Sequence, residues 1–301
     1  MEFKAPIESY KGRVREIELG KPPKAIKLGG ESRLPFHDFD EGEWPNPPRF
    51  ALELWDVDPG EEWPDWLKEP YREVLGDPAA WARKCVEYGA DAVCLKLVST
   101  DPAGRNAPPE SAVETVGKVL EAIDVPLIVY GVGDEKKDPE VLPRIAEAFS
   151  GRNLLLGPAL KEDYEPISEA AQKHGHAVIA QTPLDINLMK ELNVKLSKTF
   201  PPERIVIDPL SSALGYGMEY SFTLMERTKQ AGVMYEDAMT QMPIIADLAD
   251  ECWKTSQARE SKEMGIMWEA MTALTLLLAG ANILILLHPE SLKLLRELIS
   301  Q

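Results

Sequence analysis

The chain has 301 residues, 44% of them hydrophobic, and its 50 acidic against 33 basic side chains give a formal net charge of −17. Such a surface lacks the positive charge that displaces counterions from a phosphate backbone, which excludes a nucleic-acid partner and otherwise serves solubility. Three scattered cysteines, Cys85, Cys94 and Cys252, are too few for a four-thiolate zinc site or an iron–sulfur cluster and suggest no disulfide framework, as expected in a reducing cytoplasm.

Taken in chain order, Met1-Glu2-Phe3-Lys4-Ala5-Pro6 has no basic stretch followed by an apolar one, so no secretory signal is expected. Residues 1–48 read as an N-terminal extension. Arg13–Leu19 and Lys24–Leu28 alternate as a hairpin joined by Gly20-Lys21-Pro22-Pro23, placed to plug the amino end of the remaining domain. From residue 49 to 301 one unit recurs: an apolar run, a polar or Gly/Pro turn, an amphipathic stretch, a closing turn. The runs are Phe50–Trp55, Ala92–Val98, Leu127–Tyr130, Leu154–Leu156, Ala177–Ala180, Ile205–Ile207, Pro243–Ala246 and Ile283–Leu287. Their Val, Ile and Leu mostly do not alternate with polar residues, which is how strands buried on both faces of a parallel sheet read.

Helix punctuation supports the same unit. Asp77-Pro78 and Asp138-Pro139 pair an N-cap oxygen with a first-turn proline, and His288-Pro289-Glu290 opens the last helix. Gly89, Gly175 and Gly280 sit where helices close. The near-continuous apolar stretch Met271–Leu287 is interrupted by Gly280-Ala281-Asn282, so it reads as helix then buried strand, not as a membrane span. Eight strand–helix units without a Gly-x-Gly-x-x-Gly predict an α/β fold, a (β/α)8 TIM barrel; an open doubly wound sheet is the alternative.

In a barrel the loops after the strands build the site. They bring Asp56, Ser99-Thr100-Asp101, Gly131-Val132-Gly133-Asp134, Gly157-Pro158-Ala159, Gln181-Thr182, the segment from Asp208 to Ser212, Asp247 and His288 to one rim. Trp63 and Trp66, in the loop after the first strand, read equally as a ligand cover and as loop packing. Gly131-Val132-Gly133 reads as a tight turn more than a phosphate cradle, and Lys96 lies within its strand. His37, His174, His176 and His288 form no metal-ligand pattern, and His174 and His176 flank a turn at the opposite end. Asp56, Asp208 and Asp247 are candidates for a carboxylate cluster or for loop caps. The rim thus reads as polar and chemically quiet, suited to holding a large amide-fringed molecule.

The segment from Asp208 to Ser221, Asp208-Pro209-Leu210-Ser211-Ser212-Ala213-Leu214-Gly215-Tyr216-Gly217-Met218-Glu219-Tyr220-Ser221, resembles the small (delta) subunit of the corrinoid iron–sulfur protein of the acetyl-CoA synthase/CO dehydrogenase system. Ser99-Thr100-Asp101-Pro102, Gln241-Met242-Pro243, the stretch from Trp268 to Asn282 and His288-Pro289-Glu290 belong to the same pattern, so the resemblance spans the barrel. It implies a cobamide at the interface with a large subunit that carries the [4Fe–4S] cluster. It also implies a methyl group taken from methyltetrahydrofolate on a separate methyltransferase and delivered to acetyl-CoA synthase, with a reductive activator as a further partner. The chain lacks the Asp-x-His-x-x-Gly signature that supplies a histidine to cobalt, which fits a cofactor held mainly by the partner. On rim position, Ser211, Ser212, Gly215, Tyr216 and Gly217 are expected beside the corrin. Thr100, Asp101, Gly131, Gly133, Gln181 and Thr182 are expected to bond its amide arms. Two other readings are a pterin-binding methyltransferase barrel, with Asp56 or Asp208 on the pterin, and a scaffold that only docks other subunits.

Overall fold

Burying Val-, Ile- and Leu-rich strands on both faces requires helices outside and side chains within, and the chain meets that requirement with a barrel. The structure, a computed structural model, describes residues 9–34 and 42–299. The expectations for the first six residues and for His37 therefore lie outside the described residues. Eight parallel strands run β3 (Arg49–Trp55), β4 (Ala92–Lys96), β5 (Leu127–Tyr130), β6 (Leu155–Ala159), β7 (Ala177–Gln181), β8 (Ile205–Asp208), β9 (Ile245–Asp247) and β10 (Ile283–Leu286). Consecutive strands pair from β3 to β8, and β10 pairs with both β3 and β9. The last gap closes through a parallel bridge, Ile207 with Ile244, and Ile207 N–H donates to Pro243 O at 2.8 Å. The open doubly wound sheet is thereby ruled out.

The helices are α1 (Asp65–Lys68), α2 (Pro78–Glu87), α3 (Pro109–Ala122), α4 (Asp138–Ala148), α5 (Tyr164–His174), α6 (Ile186–Leu196), α7 (Met218–Val233), α8 (Ala249–Trp253), α9 (Lys262–Leu278) and α10 (Pro289–Ile299). Asp77 caps α2 as expected, accepting from the N–H groups of Ala79 and Ala80. Asp138 does not cap: α4 already includes it, and its carboxylate reaches back to accept from Val132 N–H at 3.1 Å and Gly133 N–H at 2.7 Å. The stretch from Met271 to Leu287 divides into the end of α9 and β10, as its Gly-Ala-Asn break predicted, and among the described residues no helix is long and apolar enough to cross a membrane.

One strand outran its prediction. Gly157 and Pro158 read as a turn, yet β6 continues through them and rejoins β7 at Ala159 with a register shift. A bulge accommodates the extra length. Gly157 is needed there because a Cβ would lie 2.5 Å from that of Ile179.

The extension forms the expected hairpin in shorter form, β1 (Ile17–Leu19) against β2 (Ile26–Leu28). Its inward residues Ile17, Leu19, Ile26 and Leu28 are buried in the main core, each worth about 2 kcal/mol of hydrophobic stabilisation. Gly20 N–H donates to Asn153 O at 2.9 Å, and Asn153 Nδ2 donates to Glu18 O at 2.8 Å. Asn153 lies two residues before β6, so the hairpin covers the amino end of the barrel. At that end His176 is fully buried, accepting Leu154 N–H on Nδ1 while Nε2 meets Ala146 O at 3.0 Å. Burial holds its pKa near 4, a structural histidine as the sequence indicated.

Candidate functional site

Strand register lifts one layer of side chains to the carboxyl end. Trp55 aligns with Lys96, Lys96 with Tyr130, and Gln181 with Asp208. Inside this layer lies a network that the sequence reading did not assemble. Lys96 Nζ bonds Asp250 Oδ2 at 2.5 Å and stands 3.9 Å from Glu53 and 4.0 Å from Asp247. Trp55 Nε1 donates to Glu53 Oε1 at 2.7 Å. Across the mouth the Tyr130 hydroxyl donates to Asp208 Oδ2, which also accepts from Gln181 Nε2 at 2.7 Å. Asp56 belongs to neither group; it accepts from the N–H and hydroxyl of Ser99 and so fixes its own loop.

Burial dominates the titration of this floor. It pushes the Glu53 carboxyl well above the ordinary carboxylate range, with Lys96 opposing and Asp250 and Asp247 adding to the rise. It lifts Asp247 to about 6 against the pull of Lys96, and it raises Asp208 despite the bonds from Gln181 and Tyr130. Burial also works against the charge on Lys96, but Glu53, Asp247 and Asp250 outweigh it and hold that ammonium well above its usual value. One ammonium is shared among several carboxyls, and Glu53, buried and farther from it than Asp250, is a carboxyl whose charged form burial disfavours. The rim is less inert than its loop residues suggested. The signal was present: Glu53 and Lys96 are charges inside otherwise apolar strands, and a buried charge requires a partner.

The expected contact residues fall into separate groups. Thr100 is buried, its hydroxyl bonded to Leu97 O at 2.8 Å, and Asp101 Oδ1 accepts from Ala103 N–H within its own turn. Gly131 and Gly133 belong to the loop wrapped on the Asp138 carboxylate; a Cβ on Gly131 would meet that carboxylate at 2.4 Å. An internal carboxylate therefore takes the place a phosphate would need. Gln181, Thr182 and Ser211 come together at the ends of β7 and β8, where Thr182 N–H donates to Asp208 O. The hydroxyls of Thr182 and Ser211 are buried without a hydrogen-bond partner. Gln181 and Thr182 line a hollow of about 400 Å³ together with Pro183, Leu188, Leu210 and Lys161. Ser212 N–H is taken by Ser221 Oγ, and Gly215 and Gly217 take positive φ before α7. Tyr216 projects, half exposed, with its hydroxyl on Gln257 Oε1 at 2.9 Å and Ser256 Oγ at 3.1 Å.

The remaining rim candidates serve the fold. Trp63 is buried edge-on between Trp55 and Trp81, so it packs the core instead of covering a ligand. His288 stacks on Trp253 and accepts Glu290 N–H on Nδ1, and burial holds its pKa near 4. A larger hollow of about 680 Å³ lies on the outer wall between α10 and the segment around Glu69 and Tyr88, away from the mouth.

The fold defines a class first: a (β/α)8 barrel, an architecture shared with dihydropteroate synthases. The chain superposes on dihydropteroate synthase from Xanthomonas albilineans with a TM-score of 0.64 over 95% of this chain and 98% of that one, at 14% identity. The Thermus thermophilus dihydropteroate synthase gives 0.56 over 90% and 99%, at 17% identity. At these identities the likeness describes architecture alone.

Sequence comparison is more specific. Residues 16–300 match the family described as CO dehydrogenase/acetyl-CoA synthase delta subunit, and the chain belongs to that family. It is 39% identical to the acetyl-CoA decarbonylase/synthase complex subunit delta of Methanothermobacter thermautotrophicus, across 99% of this chain and 78% of the relative. The corresponding subunits of Methanosarcina mazei and Archaeoglobus fulgidus are 37% and 38% identical over 98% and 99% of this chain, and over 72% and 70% of their own lengths. Membership implies partners within that complex.

Proposed function

We propose that this chain is the corrinoid-facing subunit of a methyl carrier. With a large iron–sulfur and corrinoid subunit it receives a methyl group from methyltetrahydrofolate, presented by a separate methyltransferase, and delivers it to acetyl-CoA synthase. The observation that carries this reading is the filled mouth. Its floor residues are buried or half-buried and most are bonded to one another, so the rim offers a shallow surface more than a deep substrate pocket. Leu184, Leu188 and Leu210 are exposed there, and the hydroxyls of Thr182 and Ser211, buried without partners, lie in the loops that carry Leu184 and Leu210. Apolar area interspersed with unmet polar groups suits the methyl- and amide-fringed edge of a corrin ring.

The bound corrinoid supplies a nucleophilic cobalt that carries the methyl group. In this reading Gln181, Thr182 and Ser211 bond the amide arms, while Leu188 and Leu210 cover the ring edge and exclude water. Ser212, Gly215, Tyr216 and Gly217 border the ring at the start of α7, and Asp101 and Gly133 face it across the mouth. Among the described residues His288 and His176 are enclosed by the fold and His174 ends α5 at the opposite end of the barrel, so in this reading cobalt ligation is left to the partner. A reductive activator would approach from the side the barrel leaves open.

Assembling the chain with the large subunit tests this directly. The expected result is a changed visible spectrum and slower corrinoid loss than for the large subunit alone, both reversed by Thr182→Val with Ser211→Ala. Identical spectra and retention with and without this chain would replace the reading with a docking scaffold.

One observation favours a second reading, a barrel that binds methyltetrahydrofolate itself. Asp247 Oδ1 and Glu53 Oε2 are buried at the mouth without partners, and a flat heterocycle carrying both N–H groups and acceptor nitrogens would satisfy a carboxylate oxygen and a carboxyl O–H alike. Micromolar binding of methyltetrahydrofolate to the isolated chain, lost in Asp247→Asn, would establish it.

A further inference from the structure

The Asp208 side chain is fully buried at the end of β8, where three donors converge on it. Oδ1 accepts Leu210 N–H at 2.9 Å. Oδ2 accepts the Tyr130 hydroxyl and Gln181 Nε2, the latter at 2.7 Å. A carboxylate has no hydrogen to give, so it fixes which way the Gln181 amide faces: the nitrogen turns inward. The same nitrogen reaches the Tyr130 oxygen at 3.3 Å with its second hydrogen. Both donors of Gln181 are therefore engaged inside the protein, and among the described residues no group donates to its Oε1.

Gln181 is half-buried on the wall of the hollow of about 400 Å³, next to Thr182. Thr182 is 4% exposed and lines the same hollow, and its hydroxyl has no partner. Two adjacent residues thus bring one free acceptor and one hydroxyl able to play either role to a space otherwise walled by Leu160, Pro183, Leu188 and Leu210. The surrounding charges do not favour an anion. Asp208 stands behind the Gln181 amide and Glu162 lines the hollow, while Lys161 beside it is held by Glu191 at 3.2 Å.

We infer that this hollow selects a primary amide over a carboxylate: Gln181 Oε1 accepts the amide N–H, and Asp208 is the positioning residue that turns Gln181 oxygen-outward. This rests on the corrinoid reading above and deepens it. Of the arms a corrin can bear, its amides and the carboxylates that their hydrolysis leaves, only an amide has a hydrogen for Gln181 at neutral pH. The oxygen of that amide can accept from the Thr182 hydroxyl. A carboxylate in the same place would set acceptor against acceptor beside the buried Asp208, and like charges brought together away from water are costly.

The bond from Leu210 makes the role of Asp208 testable. In Asp208→Asn the amide oxygen must stay on Leu210 N–H, because the other orientation sets two donors against each other. The new NH2 group then faces Gln181, whose amide turns over to accept from it and points its own nitrogen into the hollow. The preference is expected to disappear or reverse.

The experiment loads the full large subunit with cobalamin or with each of its single side-chain carboxylates and times corrinoid release at neutral pH, with and without this chain. The slowing of release that the wild-type chain adds is expected to be about 10-fold greater for cobalamin than for one of the carboxylates, the one whose arm reaches Gln181. Asp208→Asn is expected to bring that carboxylate level with cobalamin or ahead of it while circular dichroism stays native. Gln181→Met leaves Asp208 in place and is expected to abolish the preference by weakening cobalamin retention, so it decides the matter if Asp208→Asn does not fold. Equal retention of cobalamin and every carboxylate by the wild type would overturn the inference and leave the corrinoid reading standing. So would an unchanged preference in Gln181→Met or in a native-like Asp208→Asn. If this chain slows the release of none of them, cobalamin included, the corrinoid reading itself falls.

Discussion

The barrel contains two buried Lys–Glu pairs, one at each end, and they behave in opposite ways. At the amino end Lys229 Nζ donates to Glu31 Oε1 at 2.6 Å and to Asn282 Oδ1 at 2.7 Å, while Asn282 Nδ2 donates to the same glutamate oxygen at 2.8 Å. Burial works against the charge on Glu31, but Lys229 and Asn282 more than offset it and hold the carboxyl below its ordinary range. At the mouth Lys96 is 3.9 Å from Glu53 and is drawn instead to Asp250, so burial outweighs its pull and raises the Glu53 carboxyl well above its ordinary range. With an effective dielectric of about 20, the closer pair gains about 6 kcal/mol of attraction and the more distant one about 4, before Lys96 is shared among its other carboxyls. The difference separates two purposes. The amino-end pair ties the extension, through Glu31, to α7 and to the residue before β10. The mouth pair leaves carboxyl oxygens unmet where a ligand or partner arrives.

The largest expected effect follows from breaking the closer pair. Lys229→Met would strand Glu31 as an uncompensated buried carboxylate and cost about 3–5 kcal/mol. Urea unfolding at neutral pH measures it. A loss below 1 kcal/mol would mean that the extension is not held by this pair.

The eight strand runs were legible because a parallel barrel buries both faces, leaving unbroken apolar segments that mostly start or stop within a few residues of the observed strands. The hairpin was legible from its alternation and its proline turn. Two kinds of feature were not. Asp138 carried the local pattern of a cap, but which amides its carboxylate reaches depends on a loop six residues upstream. Lys96, Glu53 and Asp250 come from separate segments, and only strand register and the short helix α8 bring them within reach of one another. The rim list drew on loop residues, whereas the charges that set the character of the mouth are mostly strand side chains one layer below. Residue identity located the rim; three-dimensional pairing decided what its floor does.

The next effect is a pH dependence isolated by one substitution. The carboxyl of Asp247 is raised from an ordinary 3.8 to about 6. Between those values the folded protein retains a proton that the unfolded chain has released, so Asp247 lowers stability progressively as pH rises through that window. Asp247→Asn removes this contribution. The variant is expected to match the wild type near pH 4 and to exceed it by on the order of 3 kcal/mol above pH 6. Neutral His176 and His288 reduce stability as the pH falls toward 4, but they do so in both proteins and cancel in the difference. A difference that stays flat with pH would show that Asp247 is not raised.

The smallest expected effect is also the sharpest form of the comparison, because the same chemical change is made at both ends. At pH 7, Glu31→Gln removes a charge and leaves the Lys229 ammonium buried without its counterion, costing about 2–3 kcal/mol. Glu53→Gln replaces a carboxyl whose charged form burial disfavours, and the amide oxygen can still accept from Trp55 Nε1, so the loss is expected to stay under about 1 kcal/mol. Lowering the pH should shrink the first loss as Glu31 itself takes up a proton, and should leave the second unchanged. Equal losses at neutral pH would mean that Glu53 is ionised. Lys96 would then be its counterion, and the mouth would be as fully paired as the amino end.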